Sequence, residues 1–259
     1  MASLKEVKGR IASVNNTRKI TSAMKMVASA KLHKAQAAIE SMLPYERRLH
    51  HILTDFMSNC TEVTSPFIVK REVKKVAVVV FASNTSLCGG FNANVIRHLV
   101  DLLTEYKPLG LENILVFPVG KKVADAVRKL GFRIEGDFQH MADKPSYQEA
   151  ADLAADLMKR FLHGDVDKVE LLYNHFKSTA SQILTRETYL PIDLNNEKKE
   201  EERTIDYILE PSAEELMQEM LPKVLRMKMF TVLLDSNAAE HAARTMAMQI
   251  ATDNANELL

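Results

Sequence analysis

Residues Leu4–Gln36 read LKEVKGRIASVNNTRKITSAMKMVASAKLHKAQ, and they begin a heptad pattern that runs on to Phe56. Apolar or alanine side chains recur there at spacings of three and four residues, which is the period of a coiled coil. The side chains in this seam are Leu4, Val7, Ile11, Val14, Ala28, Leu32, Ala35, Ile39, Met42, Leu49, Leu53 and Phe56. The pattern predicts one long helix that packs along a partner helix.

Glu46 interrupts the seam once, and a cluster of polar side chains, Arg18, Thr21 and Lys25, interrupts it at three consecutive heptad positions. We interpret this as a stutter, which shifts the inward-facing positions of a coiled coil by part of a turn. The apolar side chains that the stutter would place in the seam are Ile20, Met24 and Val27. Farther along, Pro44 is expected to bend the helix without ending it, because the pattern resumes beyond it.

The end of the chain carries a second apolar seam of the same kind. Its side chains are Leu225, Met229, Val232, Ser236, Ala239, Ala243, Met246 and Ile250. Small side chains on both seams allow two helix backbones to approach closely. We therefore predict that the two terminal helices pair with each other, antiparallel, with the middle of the chain inserted between them.

The middle of the chain alternates between strand and helix patterns. The predicted strands are Lys75–Ala82, Asn113–Pro118, a short one within Phe132–Phe138, Val169–His175 and Ser181–Leu190. The predicted helices are Asn92–Glu105, Lys121–Leu130 and Ser146–Leu162. Ser146 and Glu149 have the spacing of a capping box at the start of the last helix, as do Ser212 and Glu215 before the C-terminal seam. This order predicts a doubly wound, mostly parallel sheet with a late antiparallel edge strand.

These patterns together predict an α/β fold: an antiparallel coiled coil of N- and C-terminal helices with an inserted, Rossmann-like doubly wound α/β domain. The expected parts are an N-terminal shaft helix over residues 1–60, a central head over 74–192 and a C-terminal shaft helix over 211–259. The longer terminal helix would exceed the diameter of a compact globule of 259 residues, so a rod with a head is expected.

The 259 residues include 34 basic and 34 acidic side chains and are 46% hydrophobic. That balance excludes wholesale disorder and a uniformly basic nucleic-acid-binding protein. The first 38 residues, however, carry eight lysines and arginines against Glu6 alone. This basic stretch indicates either an acidic partner or a solvated helix face. No apolar run is long enough to cross a membrane, and we expect no secretory signal.

No catalytic, metal-binding or cofactor-binding pattern is visible. The turn SNTSLCGGFN, residues 83–92, follows a strand but lacks the glycine fingerprint of a dinucleotide site and the lysine of a P-loop. Cys60 and Cys88 are expected to be reduced thiols, and the eight histidines are expected at surface or boundary positions. We therefore predict no cofactor and no metal.

Two alternative functions remain open on these patterns. One is a nucleic-acid-binding protein that uses the basic helix, although no aromatic residue precedes Tyr45 to stack on bases. The other is an enzyme whose Rossmann-like head binds a dinucleotide, although the phosphate fingerprint is missing. The first predicts binding that weakens steeply with salt, and the second predicts protection of the head by nucleotide.

Three segments resemble one known family. Leu4–Gln36 resembles the N-terminal helix of the gamma subunit of F-type ATP synthases. The segment LDSNAAEHAARTMAMQIATDNA, Leu234–Ala255, is similar to the C-terminal helix of that family, and SLCGGFNANV, Ser86–Val95, to its central turn. The three segments follow the order and spacing of the family, so the resemblance spans essentially the whole chain.

The resemblance implies a central-stalk rotor with no catalytic residue of its own, no cofactor and no nucleic-acid partner. The paired terminal helices would form a shaft inside a ring of three alpha and three beta subunits, one shaft per ring. The head would join the epsilon and delta subunits and the c-ring at the cytoplasmic face of the bacterial inner membrane. Proton flow would turn the shaft and drive the catalytic beta subunits through their binding states in ATP synthesis or hydrolysis.

The resemblance also implies which side chains face the ring. The positions that match the basic stretch near an acidic beta-subunit loop are Arg10, Arg18, Lys19, Met24, Lys25 and Lys31. On the C-terminal helix, Glu240, Arg244 and Gln249 are expected to contact the ring or to lie inside the shaft, and Arg244 has an alternative role as the i,i+4 partner of Glu240. The C-terminal helix is expected to be short relative to the family.

Overall fold

The computed structural model describes residues 4–59, 65–192 and 213–259. The α-helices are α1 (Leu4–Asn59), α2 (Phe91–Tyr106), α3 (Lys121–Leu130), α4 (Gln139–Asp143), α5 (Tyr147–His163) and α6 (Ala213–Glu257). The strands are β1 (Val76–Phe81), β2 (Ile114–Val119), β3 (Arg133–Ile134), β4 (Lys168–Ser178) and β5 (Ser181–Leu190). Two 3₁₀ turns, Lys107–Leu109 and Leu111–Asn113, join α2 to β2.

The five strands form one sheet in the order β3-β2-β1-β4-β5. The pairs β3–β2, β2–β1 and β1–β4 are parallel, and β4–β5 is antiparallel. The predicted mostly parallel sheet with a late antiparallel edge is therefore confirmed, and so is the α/β fold class with helical ends. We call the sheet together with α2–α5 the head.

Both faces of the sheet are covered, which explains the unbroken apolar run of β1. Val76, Val78 and Val80 point toward a core that they share with α2 and α3. Ala77, Val79 and Phe81 point into a second core with α5 and α6. Side chains alternate across a strand, so a strand buried on both faces needs apolar residues at every position.

Strand β4 is longer than its parallel neighbour β1. The last pairing between them joins Val80 to Leu172, whereas β4 continues to Ser178 along β5. Residues Tyr173–Ser178 therefore extend past the end of β1 and have a strand partner on one side. We call this segment the β4 overhang, and it lies against α6.

The helices α1 and α6 pair antiparallel, as predicted, and we call this pair the shaft. Thr21 hydrogen-bonds to Thr252 and Arg18 to Asn256, while Leu32 and Ala35 share an apolar cluster with Ala238 and Ala242. Rising residue numbers on α1 thus meet falling numbers on α6. With 56 residues, α1 is about 84 Å long at the usual helical rise.

The predicted stutter in the α1 seam is wrong. Thr21 is 8% exposed and Arg18 and Lys25 are half-buried, whereas Ile20 and Val27 are 60% and 59% exposed and Met24 is half-buried. The heptad register therefore continues through its polar positions. It can do so because Thr21 and Arg18 find hydrogen-bond partners on α6, which offsets the cost of burying polar groups.

Other local expectations have mixed outcomes. Helix α1 continues through Pro44, as expected. The capping box at Ser146 is wrong: Ser146 is the N-cap of α5 but makes no side-chain cap hydrogen bond, and Glu149 instead contacts His140. Ser212 lies outside the described residues. The division into parts over 1–60, 74–192 and 211–259 stays a prediction, since some of these boundaries also fall outside the described residues.

Candidate functional site: the shaft surface and the shaft–head junction

The face of α1 that points away from α6 is apolar and basic. Ile20, Met26 and Val27 are large, exposed apolar side chains on this helix. Lys19 and Lys31 are also exposed. A helix that buries only one seam normally presents polar residues elsewhere, so apolar side chains on the outer face indicate a surface that another protein covers. We call Lys19, Ile20, Met26, Val27 and Lys31 the outer face of α1.

The remaining basic positions of α1 differ in their surroundings. Arg10 is exposed and its Nη2 lies 2.7 Å from Oε1 of Glu6, one helical turn away. Arg18 is half-buried, and its guanidinium donates to Oδ1 of Asn15 and Oδ1 of Asn256. Lys25 is half-buried beside the seam. Arg18 therefore holds the two shaft helices together, while Arg10 remains at the surface.

The first turns of α1 extend beyond the part of α6 that pairs with it. Arg18 already reaches Asn256, in the last turn of α6. The earlier seam side chains Leu4, Val7 and Ile11 are all exposed.

Arg244 of α6 connects the shaft to the turn after β1. Its Nη1 donates to the carbonyl oxygen of Ser86, and its Nη2 donates to Oγ1 of Thr85 at 2.9 Å and to Oε1 of Glu240 at 2.6 Å. The i,i+4 pairing with Glu240 considered from the sequence is thus present. These N–H groups of Arg244 therefore bond within the chain, at the junction between shaft and head.

Polar groups within the turn after β1, which Arg244 contacts, form hydrogen bonds with one another. Asn92 at the start of α2 accepts from the Ser83 amide at 3.1 Å and donates to the Ser83 hydroxyl at 2.8 Å. Cys88 is buried, and its Sγ accepts a hydrogen bond from the side-chain amide of Asn92. This is the position expected of a thiol without a catalytic role. Leu87 adopts a left-handed backbone conformation with φ of 67°. Such a conformation is strained for leucine and persists where surrounding contacts enforce it.

Burial governs the ionisation of two neighbouring groups on α6. Burial raises the pKa of Glu240 above its usual value, and the Arg244 guanidinium opposes that rise only in part. Burial, together with the positive charges of Lys31 and Arg244, lowers the pKa of His241 to about 4. His241 is therefore neutral at pH 7, and its Nδ1 has no hydrogen-bond partner among the described residues.

The buried position of His241 corrects the expectation that every histidine lies at the surface or boundary. It occurs because α6 passes between the sheet and α1 at this point, so that Ala238, Ala239 and Ala242 are buried around it. Gln249, the third candidate on α6, is half-buried and donates to both carboxylate oxygens of Asp253.

Two functional candidates on α6 were missed by the sequence analysis. Asp235 accepts a hydrogen bond from the Phe176 amide at 2.8 Å and lies 2.6 Å from Nδ1 of His175. Asn237 donates to the carbonyl oxygen of Ala142 at 2.8 Å. The signal for both was polar side chains inside the apolar and small-residue run of α6, which indicates buried hydrogen bonds.

The described residues offer little to a small ligand. They contain no group of histidine, cysteine, aspartate or glutamate side chains that could hold a metal ion. The shaft–head junction encloses a cavity of about 10 Å³ beside Asn237 and Glu240, which is room for about one water molecule. An open apolar groove of about 250 Å³ lies between α5 and α6, beside Met158 and Pro222. None of the helices in the described ranges is long and apolar enough to cross a bilayer.

Comparison with known proteins gives a consistent result. A family model described as ATP synthase matches residues 3–259. The ATP synthase gamma chain of Phocaeicola vulgatus is 81% identical over 261 residues, which cover all of this chain and 90% of that protein. The ATP synthase gamma chain of Bacteroides thetaiotaomicron is 61% identical over 270 residues, which cover all of this chain and 91% of that protein.

Solved structures with the same fold come from more distant organisms. A chain of the Tetrahymena thermophila mitochondrial ATP synthase central stalk and c-ring has a TM-score of 0.63 at 22% identity, and the match covers 90% of this chain and 99% of that one. A chain of the Euglena gracilis mitochondrial ATP synthase rotor has a TM-score of 0.61 at 18% identity, covering 97% and 91%. At these identities the likeness concerns the fold. On the family match and the close bacterial relatives, the chain belongs to the family of ATP synthase gamma chains, a non-catalytic component of that enzyme.

Proposed function

We propose that this chain is the turning central stalk of an F-type ATP synthase, and that the shaft couples its rotation to the catalytic beta subunits. The observation that carries the proposal is the shaft itself. A helix of 56 residues is paired along one seam with α6 and presents exposed apolar and basic side chains elsewhere. Such a surface needs a partner that surrounds it.

The proposed partner of the shaft is a ring of three alpha and three beta subunits, with one copy of this chain per ring. An acidic loop of the beta subunits would face the basic side chains of α1. Among the expected contacts, the exposed cations Arg10, Lys19 and Lys31 are the ones free to reach another chain, and Met24 and Lys25 are half-buried at the edge of the outer face. Exposed ion pairs contribute only about 0.2–1 kcal/mol each, which suits contacts that must exchange during rotation.

The other expected contact residues are proposed to act within the shaft. Arg18 bonds to Asn256, Arg244 and Glu240 bond to each other, and Gln249 bonds to Asp253. The Arg18–Asn256 bond joins the two helices, Arg244 also joins α6 to the turn after β1, and the Gln249–Asp253 bond lies within α6. We therefore assign the ring contacts to the outer face of α1 and the rigidity of the shaft to this second group.

The difference between the two sides of the shaft would cause the changes in the beta subunits during rotation. Its α1 side is apolar and basic, whereas on its α6 side the last turns expose residues of other kinds, such as Asp253 and Asn254. As the shaft turns, each beta subunit would meet these different sides in succession and pass through different binding states. The energy would come from proton flow during ATP synthesis, and from ATP during hydrolysis.

The proposed position of the head is next to the membrane, in contact with the epsilon and delta subunits and the c-ring. Attachment to the cytoplasmic face of the bacterial inner membrane would occur through these subunits alone. The basic charge of the first 38 residues belongs to the shaft, and the head has no comparable concentration of basic residues in its sequence. A basic shaft and a head of different charge suit a subunit that binds different partner subunits at its two ends.

Co-expression with cognate alpha and beta subunits, followed by native mass spectrometry, tests this proposal. A species with three alpha subunits, three beta subunits and one copy of this chain is expected. The double variant Ile20→Asp/Val27→Asp is expected to be lost from that species, and the exposed head variant Lys107→Asp is the matched control. Elution of the chain alone, beside folded alpha and beta subunits, would contradict the proposal.

A further inference from the structure

The carboxylate of Asp235, on α6, makes two contacts with the β4 overhang. Its Oδ1 accepts the backbone amide of Phe176 at 2.8 Å, and its Oδ2 lies 2.6 Å from Nδ1 of His175. Both carboxylate oxygens thus reach consecutive residues of the same strand. The Asp235 side chain is 14% exposed and the His175 side chain 51%, so the bond from the Phe176 amide is the more shielded of the two contacts.

The geometry of the sheet explains why an acceptor is needed there. The ladder between β1 and β4 ends at Leu172, so later amides of β4 on that side have no strand to bond to. Phe176 pairs with Gln182 of β5 on the other side. Asp235 supplies the missing acceptor from a helix, and hydrogen bonds to a charged acceptor are shorter and stronger than neutral ones.

The ring of Phe176 adds an apolar contact at the same point. It packs against the cluster in which Leu32 of α1 meets Ala238 of α6. It also packs against the cluster of Cys88, Phe91 and Ala239, which joins the turn after β1 to α6. Phe176 therefore packs against clusters that include residues of both shaft helices and of the turn after β1, and its backbone amide is bound by Asp235.

Other bonds between α6 and the head end on other elements: Asn237 and Arg244 donate to the carbonyl oxygens of Ala142 in α4 and Ser86 in the turn after β1. Tyr189 donates to the carbonyl oxygen of Leu225, and Lys228 pairs with Glu187 at 3.1 Å. These bonds end on long side chains of β5, which can follow a small displacement. Asp235 instead accepts a hydrogen bond from a backbone amide of the sheet itself, and its side chain is short. A rotation of α6 would therefore displace the sheet directly.

We propose that Asp235 is a positioning residue that transmits torque between the head and the shaft by fixing the β4 overhang to α6. The inference rests on the proposed rotor function and adds to it a path for the torque. The role of Asp235 is to keep the angle between head and shaft constant when opposing torques act on the two.

The test uses the assembled ATP synthase in proteoliposomes with three variants of this chain. Asp235→Ala removes both contacts, and Asp235→Glu keeps the charge as a conservative replacement. Asp125→Ala is the matched control, because Asp125 is an aspartate of α3 that pairs with Arg128 within the head. The readouts are ATP hydrolysis, ATP-driven proton pumping against a rising pH gradient, and hydrogen exchange at the Phe176 amide.

The Asp235→Ala enzyme is expected to hydrolyse ATP while reaching a smaller pH gradient per ATP than wild type. Its Phe176 amide is expected to exchange on the order of tenfold faster, since a charge-assisted hydrogen bond is lost. Asp235→Glu should recover part of both, and Asp125→Ala should match wild type. A purely structural role would lower thermal stability but leave the gradient per ATP unchanged in the assembled enzyme.

An assembled Asp235→Ala enzyme that builds the wild-type gradient overturns the inference and leaves the rotor function intact. Failure of the wild-type chain to assemble with the other subunits would instead refute the proposed function. If Asp235→Ala does not fold, His175→Ala is the second variant, because His175 is about half exposed and supplies only one arm of the contact. An intermediate loss of gradient supports the inference, and a wild-type gradient overturns it.

Discussion

The hydroxyl oxygens of Thr21 and Thr252 lie 2.8 Å apart, although 231 residues separate them in the chain. The bond joins the first helix to the last and sets the register of the shaft. Each hydroxyl carries one proton, so one threonine donates across the shaft and the other donates to a carbonyl of its own helix, that of Arg18 for Thr21 or that of Met248 for Thr252. A polar pair thus occupies a seam position that an apolar pair would fill elsewhere in a coiled coil.

A cross-link tests this register. Replacing both residues, as Thr21→Cys/Thr252→Cys, should place two thiols close enough for a disulfide across the shaft. Mild oxidation is expected to give a faster-migrating band on a non-reducing gel, which neither single variant shows. A band of unchanged mobility in the double variant, with both thiols fully reactive toward maleimide, would mean that the two helices meet in another register.

The outer face of α1 allows a test that separates the observed seam from the stutter. Ile20→Ala and Val27→Ala should each change the free energy of unfolding by less than about 0.5 kcal/mol, as exposed substitutions do. Ala28→Leu should cost about 1–3 kcal/mol, because Ala28 is 1% exposed and leucine overfills the seam.

Urea unfolding of the three variants measures these differences. The stutter interpretation makes the opposite prediction, since it buries Ile20 and Val27. Under that interpretation each alanine variant would cost roughly 1–4 kcal/mol as a large-to-small core substitution. Costs in that range for the two alanine variants would therefore contradict the observed seam.

Within the described residues, the sequence predicted the strands and the helices other than α4, but it did not predict this seam. Apolar runs such as Val76–Phe81 predict buried strands because a strand covered on both faces has no polar positions. The polar residues Thr21 and Arg18 looked like a break because their partners, Thr252 and Asn256, lie at the other end of the chain. Periodicity within one segment cannot show that a polar seam residue is matched by another on a distant helix.

Arg244 provides a second stability test. Arg244→Ala removes the cation that lies 2.6 Å from the buried Glu240 carboxylate and also releases the turn at Thr85. Leaving a buried charge without its partner typically costs about 3–5 kcal/mol. We expect a loss near the lower end of that range, because the raised pKa of Glu240 makes its protonation easier.

A double variant isolates the charge from the turn contact. Arg244→Ala/Glu240→Gln should be more stable than Arg244→Ala alone, since glutamine carries no charge to leave unpaired. Urea unfolding at pH 7 measures both variants. A double variant less stable than Arg244→Ala would show that Glu240 contributes through contacts other than its charge.

His241 should make the chain sensitive to acid. Its pKa in the folded chain is about 4, against 6.5 for an ordinary histidine, so the unfolded chain binds the proton first as pH falls. Stability is therefore expected to fall between pH 6.5 and pH 4, by up to about 3 kcal/mol from this group. Glu240 acts in the opposite direction, because its raised pKa favours the folded state as the carboxylate takes up a proton.

Unfolding free energies at pH 7 and pH 4.5 measure this effect. His241→Gln should lose clearly less stability between the two values than wild type, and the exposed His98→Gln should behave as wild type. An equal loss in His241→Gln and wild type would show that His241 is already protonated in the folded chain, or that other groups set the acid response.

The junction residues were less predictable than the fold. Glu240 and Arg244 could be paired from their i,i+4 spacing alone. Asp235 and His241 could not be placed, because their surroundings depend on where α6 crosses the β4 overhang and α1. That crossing follows from the packing of the sheet against α6, in which residues far apart in sequence, such as Phe176 and Ala238, become neighbours.

Rotation of single molecules tests the central claim most directly. A cysteine at exposed position 107, introduced as Lys107→Cys with Cys60 replaced by serine, would carry a bead on the head of a chain assembled with immobilised alpha and beta subunits. The rotor function predicts rotation of the bead in one direction, in discrete steps, when ATP is supplied, and none without ATP. ATP hydrolysis at the wild-type rate with a bead that stays still would contradict it.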